Sequence, residues 1–92
     1  MIKSFRHRGL ERFFKKDDTR SINAQYGSRI RRILDLIDTA TAVEQLEIPG
    51  MHLHQLKFDR KVEGAMTVSG NWRTTFRFAN ENATDLDLED HH

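Results

Sequence analysis

Histidine is the side chain of this 92-residue chain best suited to moving protons near neutral pH, and its placement is informative. His52 and His54 are separated by one residue, the spacing that puts two side chains on one face of a strand. Lys57 follows three residues after His54, and His91 and His92 end the sequence. The chain therefore offers imidazole and ammonium groups in one segment and imidazole again at its terminus.

A second set of candidate residues comes from the last two predicted strands. A strand that ends in Glu89-Asp90-His91-His92 is expected to bring its carboxylate and imidazoles against the open face of a sheet. Arg73 and Arg77 lie four residues apart on the preceding strand, so they share one face. Such a fold gathers imidazole, ammonium and guanidinium groups without a cysteine or a phosphate-binding glycine loop.

Three interpretations of these residues are possible, namely two functions and the absence of any chemical role. His52, His54 and the terminal histidines could bind zinc or another divalent cation, but Lys57, Arg73 and Arg77 would repel it. Metal-independent RNA cleavage needs a base for the ribose 2′-OH, an acid for the leaving 5′ oxygen and cations for the charge on phosphorus. Histidine suits the proton transfers, and lysine and arginine suit the phosphate. Composition alone favours the third possibility, histidines with no chemical role.

Composition restricts the class of protein. Hydrophobic residues make up 37% of the chain and charged residues 32%, which is typical of a folded chain with a modest core. Its length favours a single domain over residues 1–92. No apolar run approaches the roughly 20 residues that span a bilayer, so no membrane partner is predicted. Residues 1–8 lack the apolar segment of a secretory signal, and the absence of cysteine excludes disulfides and cysteine-based sites.

The formal net charge of +1 hides a segregated pattern. Residues 1–34 carry a net +7 and residues 57–77 a net +3, whereas residues 35–56 carry −4 and residues 78–92 carry −5. These blocks can neutralise one another in the fold or leave separate basic and acidic faces. The total charge argues against a nucleic-acid partner, but its distribution leaves a basic surface open.

Two amphipathic helices are predicted in the first half of the chain. After Gly9, apolar residues recur at helical spacing as Leu10, Phe13 and Phe14, and a polar run at residues 17–21 ends this helix. A second helix is predicted from about residue 23 to residue 40. Its apolar face consists of Tyr26, Ile30, Ile33, Leu34 and Ile37. A short helical turn is expected at residues 41–46.

In the second half of the chain, apolar and polar residues alternate as they do in β-strands. A hairpin is predicted from residues 65–69 and 72–78 around Gly70-Asn71, with a last strand around residues 86–88 and a short strand at residues 2–5. The core-facing residues of the second hairpin strand would be Trp72, Thr74, Phe76 and Phe78, and the open face would carry Arg73, Thr75 and Arg77. The predicted fold class is α+β, with two N-terminal helices packed on a small antiparallel sheet.

Beyond these patterns, the sequence resembles the HigB toxin family over nearly its whole length. Its first half is similar in the segments Met1-Ile2-Lys3-Ser4-Phe5, Gly9-Leu10, Phe13-Phe14 and Leu34-x-x-Ile37-Asp38-x-Ala40-Thr41. Leu53-His54-x-Leu56-Lys57-x-Asp59 resembles the family motif Leu-His-Pro-Leu-Lys-Gly-Asp. Gly70-Asn71-Trp72-Arg73-x-x-Phe76 resembles Gly-Asn-Trp-Arg-Ile-Thr-Phe, and the last four residues resemble Glu-Asp-Tyr-His.

This resemblance implies a RelE-like fold and a toxin of a bacterial type II toxin–antitoxin system that acts in the cytoplasm. Members of the family are ribosome-dependent endoribonucleases that cut mRNA in the A site without a metal or other cofactor. The products are a 2′,3′-cyclic phosphate and a 5′-hydroxyl. The implied partners are the ribosome with A-site mRNA and a HigA antitoxin that contains a helix-turn-helix, and operator DNA is bound only through the toxin–antitoxin complex.

The resemblance also assigns roles to residues. Carried over by motif, the catalytic set would be His54, Lys57, Arg73, Asp90 and His92. Lys57 and Arg73 would hold the scissile phosphate, and the base would be His54 or His92. Two further residues are expected to contact the substrate, Arg77 and His91. The basic residues expected to contact the backbone of ribosomal RNA are Arg8, Arg12, Lys15, Lys16, Arg29, Arg31 and Arg32.

Three residues depart from the family motifs. Gln55 stands where proline is usual and Phe58 where glycine is usual, which changes the segment that presents His54. His91 replaces a tyrosine that could stack on a base.

The alternative function is that of a ParE-like toxin, which has the same fold, binds DNA gyrase and cleaves nothing. The retained catalytic set disfavours this alternative, because a pure binding module has no need of it.

Overall fold

The computed structural model describes residues 1–58 and 61–90, without the side chains of residues 56–58, 61 and 62. Its helices are α1 (Arg8–Lys16) and α2 (Gly27–Thr39), with short 3-10 turns at Ala24–Tyr26 and Val43–Leu46. The strands are β1 (His54–Phe58), β2 (Lys61–Ser69), β3 (Trp72–Ala79) and β4 (Asn82–Asp90). They form an antiparallel sheet in the order β1-β2-β3-β4, with the helices on one face. The predicted α+β fold is confirmed.

The hydrophobic core lies between α2 and the sheet. The predicted apolar face of α2 is buried at Ile30, Ile33, Leu34 and Ile37. The predicted start near residue 23 is wrong, because α2 begins at Gly27 and Tyr26 lies half-buried in the 3-10 turn before it. The sheet contributes residues from three strands, namely Met66, Val68, Phe76, Phe78 and Leu86. Because helical and strand periodicities both direct their apolar residues into this layer, the opposite face of the sheet is left for polar side chains.

Arg31 joins the two helices. Its guanidinium donates to the carbonyl oxygens of Phe13 and Phe14 at 2.8 and 3.2 Å and pairs with Asp17. It also lies 4.7 Å from the centre of the Phe13 ring. The Phe13 carbonyl also accepts the Asp17 N–H at 3.0 Å, so Arg31 adds a second donor there and supplies one to the Phe14 carbonyl in the last turn of α1. The guanidinium of Arg31 is therefore engaged within the fold rather than free to face RNA.

The N-terminal segment differs from the predicted strand at residues 2–5. It makes two isolated parallel bridges with β4, between Ile2 and Ala83 and between Phe5 and Leu86. The Ile2 N–H donates to Asp38 Oδ1 of α2 at 2.9 Å, which draws the segment toward the helices. The segment thereby runs beside the outer edge of β4 and covers part of it.

Tight turns connect the last three strands. The predicted Gly70-Asn71 turn is confirmed, and Gly70 has a φ of 51° there. The next turn places Asn80 and Glu81 at φ values of 51° and 66°, and a type I′ hairpin requires positive φ at both positions.

A bulge in β4 determines which side chains face the core. The pairing of β3 with β4 shifts between Thr75 and Arg77, and Asp85 opposite has a φ of 56°. Ala83 and Leu86 are both fully buried although they are three residues apart. An unbroken strand alternates every two residues, so the bulge is what keeps both on the helix side.

One residue of the predicted core face of β3 is wrong. Phe76 and Phe78 are buried as expected, but Trp72 is 37% exposed. Trp72 begins β3 beside the hairpin turn, and its side chain lines a pocket together with Val68 and Leu88. The end of the strand thus presents a large aromatic side chain to solvent.

Gly64→Ala is expected to destabilise the protein by about 1–3 kcal/mol, the usual cost of overpacking a core. A Cβ at Gly64 would lie 2.5 Å from Phe76 Cζ, and the Phe76 ring is 3% exposed and cannot move aside freely. Urea unfolding measures the change. Gly27→Ala is the matched control, because a Cβ at that helical position meets nothing within 4 Å and should be neutral or stabilising. Equal effects of the two substitutions would contradict the packing argument.

Thr74→Val is expected to stabilise the protein by about 1 kcal/mol, because it removes a desolvated hydroxyl while keeping the side-chain shape. Thr74 is fully buried, and its Oγ1 has no hydrogen-bond partner among the described residues. The urea midpoint should rise with an unchanged m-value. Thr75→Val, on the open face of the same strand, should shift the stability by less than about 0.5 kcal/mol. A loss of stability in Thr74→Val would show that the hydroxyl has a partner in solution.

Candidate active site

The open face of the sheet carries His54 in a row of side chains that crosses all four strands. His54 pairs with Ala65, Ala65 with Thr75, and Thr75 with Asp87. Residues that pair across antiparallel strands point to the same face, so this row lies on the side away from the helices. His54 is exposed, and its imidazole borders a cleft on this face.

Arg73 lies in the adjacent row, between Thr67 and Glu89. Its Nε is buried and has no hydrogen-bond partner among the described residues. From the spacing of strands and the rise per residue, the Cα atoms of His54 and Arg73 are roughly 12 Å apart. That separation leaves room between the two side chains for a phosphodiester. A buried guanidinium donor without a partner is the kind of group that an anionic oxygen would satisfy.

The cleft that His54 borders has a volume of about 240 Å³, and Arg73 is not among its described lining residues. Its charged lining contains both signs, namely Arg6, His54, Glu63, Arg77, Asp85 and Glu89. The Arg77 Nε donates to Glu63 Oε1 at 3.1 Å and lies 3.8 Å from Asp85 Oδ2. Arg77 therefore shares its charge with two carboxylates, whereas the Nε of Arg73 has no hydrogen-bond partner among the described residues.

The structure describes the side chains of three residues of the predicted catalytic set, namely His54, Arg73 and Asp90. The β3–β4 register places Glu89 opposite Arg73 and Asp90 opposite Trp72. Because successive residues of a strand alternate between faces, Asp90 belongs to the opposite face of the sheet from Glu89 and Arg73. Lys57 occupies the register position opposite Val62 in β1. The Lys57 side chain, His91 and His92 lie outside the described residues.

Most of the predicted basic surface is exposed. The exposed members are Arg8, Arg12, Lys15, Lys16 and Arg32. Arg29 differs, because its Nε donates to the Thr67 carbonyl at 3.2 Å and one of its terminal nitrogens donates to the Gly50 carbonyl at 2.8 Å. Arg29 thus ties α2 to β2 and to the loop that precedes β1.

The described part of the chain contains no cluster of side chains that could bind a metal ion, as the metal hypothesis requires. Over residues 1–58 and 61–90, no three His, Asp or Glu side chains come close enough together to hold a metal ion. The hypothesis also required the terminal histidines, which lie outside that part.

Comparison with known proteins identifies the family. A model of RelE-like toxins of the type II toxin–antitoxin system HigB matches residues 3–92. The chain is also 46% identical to a protein named Endoribonuclease HigB from Proteus vulgaris, and the match covers 100% of both chains. The chain belongs to the HigB-like toxin family. The predicted membership is confirmed, and with it the RelE-like fold.

In this HigB-like toxin, three residues that line the cleft were missed by sequence reasoning: Arg6, Glu63 and Asp85. Glu63 alternates with Ala65, so its face follows once β1 and β2 are paired. The bulge at Asp85 could have been inferred from the sequence, because two buried residues three positions apart, Ala83 and Leu86, require an inserted residue between them. Arg6 depends on the pairing of the N-terminal segment with β4, for which the sequence contains no local signal.

The helices of this HigB-like toxin are short. Among the described residues, no helix has both the length and the apolar composition needed to cross a membrane.

Proposed function

We propose that this HigB-like toxin is an endoribonuclease that cuts mRNA in the ribosomal A site without a metal cofactor, in the bacterial cytoplasm. The observation that carries the proposal is the unpartnered buried Nε of Arg73, one row from His54 on the open face. The 46% identity over the full length to a protein named an endoribonuclease supports the same activity. The ParE-like alternative has no comparable support, because the matching family is HigB.

The reaction breaks one P–O bond by an internal attack. A base takes the proton of the ribose 2′-OH, and the 2′ oxygen forms a bond to phosphorus. The bond from phosphorus to the 5′ oxygen then breaks, and an acid gives that oxygen a proton. The products are a 2′,3′-cyclic phosphate and a 5′-hydroxyl, so atoms and charge balance without water or a metal.

The proposed roles are supported by placement for Arg73 and His54 and by residue type and resemblance to the family motifs for the other residues. Arg73 would donate to a non-bridging phosphate oxygen, whose charge grows as the 2′ oxygen attacks. His54, exposed at the cleft, would transfer one of the two protons. Lys57 would add a second cation at the phosphate. Asp90 and His92 complete the proposed set, with His92 as the other proton-transfer group, while Arg77 and His91 would contact the RNA chain.

The partners in the proposal follow from family membership and from charge. A type II toxin implies an antitoxin. We propose that it is a HigA-type protein with a helix-turn-helix and that operator DNA is reached only through the complex. The exposed basic residues of α1, with Arg32 and the partly engaged Arg29, would contact ribosomal RNA through its backbone.

The test is cleavage of a defined mRNA with and without ribosomes, followed by mapping of the new 5′ ends. We expect cuts within the A-site codon only when ribosomes are present, 3′ ends that carry a cyclic phosphate, and the same result with the toxin pre-treated with a chelator. Removal of residues 91–92 should abolish the cuts. Cleavage of free mRNA would refute ribosome dependence. Growth arrest with intact mRNA and damaged DNA would instead indicate a gyrase inhibitor.

A further inference from the structure

A second, smaller pocket lies on the helix side of β3, beside the exposed indole of Trp72. Its volume is about 90 Å³, and its apolar floor is formed by Ile30, Val68 and Leu88. Ile30 and Val68 are 1% and 2% exposed, whereas Trp72 is 37% exposed. The polar rim is formed by His7, Ser21, Asn23 and Tyr26. A flat aromatic surface therefore adjoins an apolar hollow with hydrogen-bonding groups around it.

The rim offers specific hydrogen-bonding atoms. His7 Nδ1 accepts the Leu10 N–H at 2.9 Å as the N-cap of α1, so the other ring nitrogen, Nε2, is left for a ligand. Asn23 Oδ1 accepts the Gln25 N–H at 3.0 Å, which leaves the Asn23 amide NH₂ group to donate elsewhere. Ring-edge donors and acceptors of a planar heterocycle could pair with such groups.

The charges near the rim favour an anionic ligand. Arg12 donates from a terminal nitrogen to Ser21 Oγ at 3.0 Å, which places its cation at the mouth of the pocket. The neighbouring acid, Asp18, is bound by Arg20 at 2.7 Å. The hydrogen bonds from the Arg20 side chain and backbone hold the pKa of the Asp18 carboxyl well below its ordinary value. Asp18 therefore stays ionised, and its Oδ2 also lies 4.0 Å from the Arg12 Nε. The two arginines and the one carboxylate together leave one net positive charge beside the pocket.

Trp72 also adjoins the proposed phosphate site. It directly precedes Arg73, and consecutive Cα atoms are about 3.8 Å apart. The two side chains leave opposite faces at the first residues of β3, beside the hairpin turn. A nucleic-acid strand that passes this end of the sheet could place a phosphate on Arg73 and an adjacent base on Trp72.

We propose that Trp72 and its pocket bind a nucleobase of the RNA next to the phosphate held by Arg73. The base stacks on the indole and directs its edge toward the rim. An exposed tryptophan also suits a protein partner. The net positive charge beside the rim and the adjoining Arg73, whose Nε has no hydrogen-bond partner among the described residues, favour the polyanion. The inference rests on the proposed function and deepens it by assigning a base-binding site.

The experiment combines protein and RNA substitutions in single-turnover cleavage on programmed ribosomes. Trp72→Ala should need an about 10-fold higher toxin concentration for the half-maximal rate, the usual value of one stacked base, and Trp72→Phe should stay within roughly 3-fold of wild type. With an abasic ribonucleotide at one position of the A-site codon, the wild type should need a toxin concentration higher by the same factor for its half-maximal rate. The same RNA should not raise the concentration that Trp72→Ala needs any further. This non-additivity is the signature of direct contact.

Separate controls protect the interpretation. Circular dichroism checks the fold of each variant. Ser21→Tyr, which blocks the mouth from the rim without altering β3, should weaken the reaction as Trp72→Ala does. Additive losses at all three codon positions would overturn the proposal, and so would wild-type cleavage by Trp72→Ala. Unchanged cleavage with weakened antitoxin binding would instead make the pocket a protein-docking site.

A binding measurement separates failure of this inference from failure of the proposed function. Trp72 is the single tryptophan of the chain, so intrinsic fluorescence reports on it directly. A short 2′-O-methyl RNA should quench it, whereas an abasic oligomer of equal length and inorganic phosphate should not. The proposed function fails if the wild type cuts no mRNA. The base site fails if the base-containing and abasic oligomers quench the fluorescence equally.

Discussion

Arg73→Gln should slow single-turnover cleavage of ribosome-bound mRNA by about 10²–10³-fold, the loss typical of removing one preorganised donor to a developing oxyanion. The Nε of Arg73 is buried without a partner among the described residues, so the free protein already bears the cost of its desolvation. In the proposed reaction a phosphate oxygen would supply the missing partner, and its charge is greatest in the transition state. The substitution should therefore act on the rate constant more than on the toxin concentration at half-maximal rate.

The matched control for this prediction is Arg77→Gln, on the same strand and face. Arg77 is already paired with Glu63 and Asp85, so its loss should reduce cleavage by less than about 10-fold. Arg73→Gln should also leave the urea midpoint unchanged or higher, because it replaces a charged group whose Nε is desolvated. Equal losses of activity in both variants, or near-normal cleavage by Arg73→Gln, would remove Arg73 from the proposed site.

The helices and the β2–β3 hairpin could be predicted from the sequence because each is encoded by local periodicity. The apolar stripe of α2 and the Gly70-Asn71 turn are examples, and both occur where expected. Trp72 was misplaced because alternation gives the face of a residue but not how far the helices extend over it. The N-terminal segment was misread because its partner, β4, is about 80 residues away in sequence.

The candidate site was predictable in its residue types and less so in its geometry. His54 and Arg73 share the open face, but this depends on pairings of β1 with β2 and of β2 with β3 that no local pattern specifies. Glu89 rather than Asp90 lies opposite Arg73, because the bulge at Asp85 sets the phase of β4. One inserted residue thus decides which acid faces the guanidinium.

Charge distribution was more informative than net charge, and the structure refines it. Within the basic N-terminal block, Arg31 donates to carbonyl groups of α1 and Arg29 holds the Gly50 loop. The exposed cations are concentrated on α1 instead. Two acids of the last block, Asp85 and Glu89, line the cleft, and Asp85 lies beside Arg77. A total near zero is therefore compatible with a local basic surface.

His54→Ala should slow cleavage by about 10²–10⁴-fold, the range for loss of a positioned proton-transfer group. The His54 imidazole borders the cleft, and its backbone lies in the row that crosses to Thr75. The substitution should also remove one limb of the bell-shaped dependence of the single-turnover rate on pH, because that limb reports the group itself. Truncating an exposed side chain should change the urea midpoint little.

His52→Ala is the matched control for His54, since both side chains are exposed and flank Leu53. His52 precedes β1, has a φ of 49° and does not line the cleft. Its loss should leave both the rate and the pH profile within about 2-fold of wild type, as expected of an exposed residue with no chemical role. If the two variants lose activity equally, the segment contributes general binding. A His54→Ala profile that keeps both limbs would assign the proton transfers to other groups, with His92 the first to test.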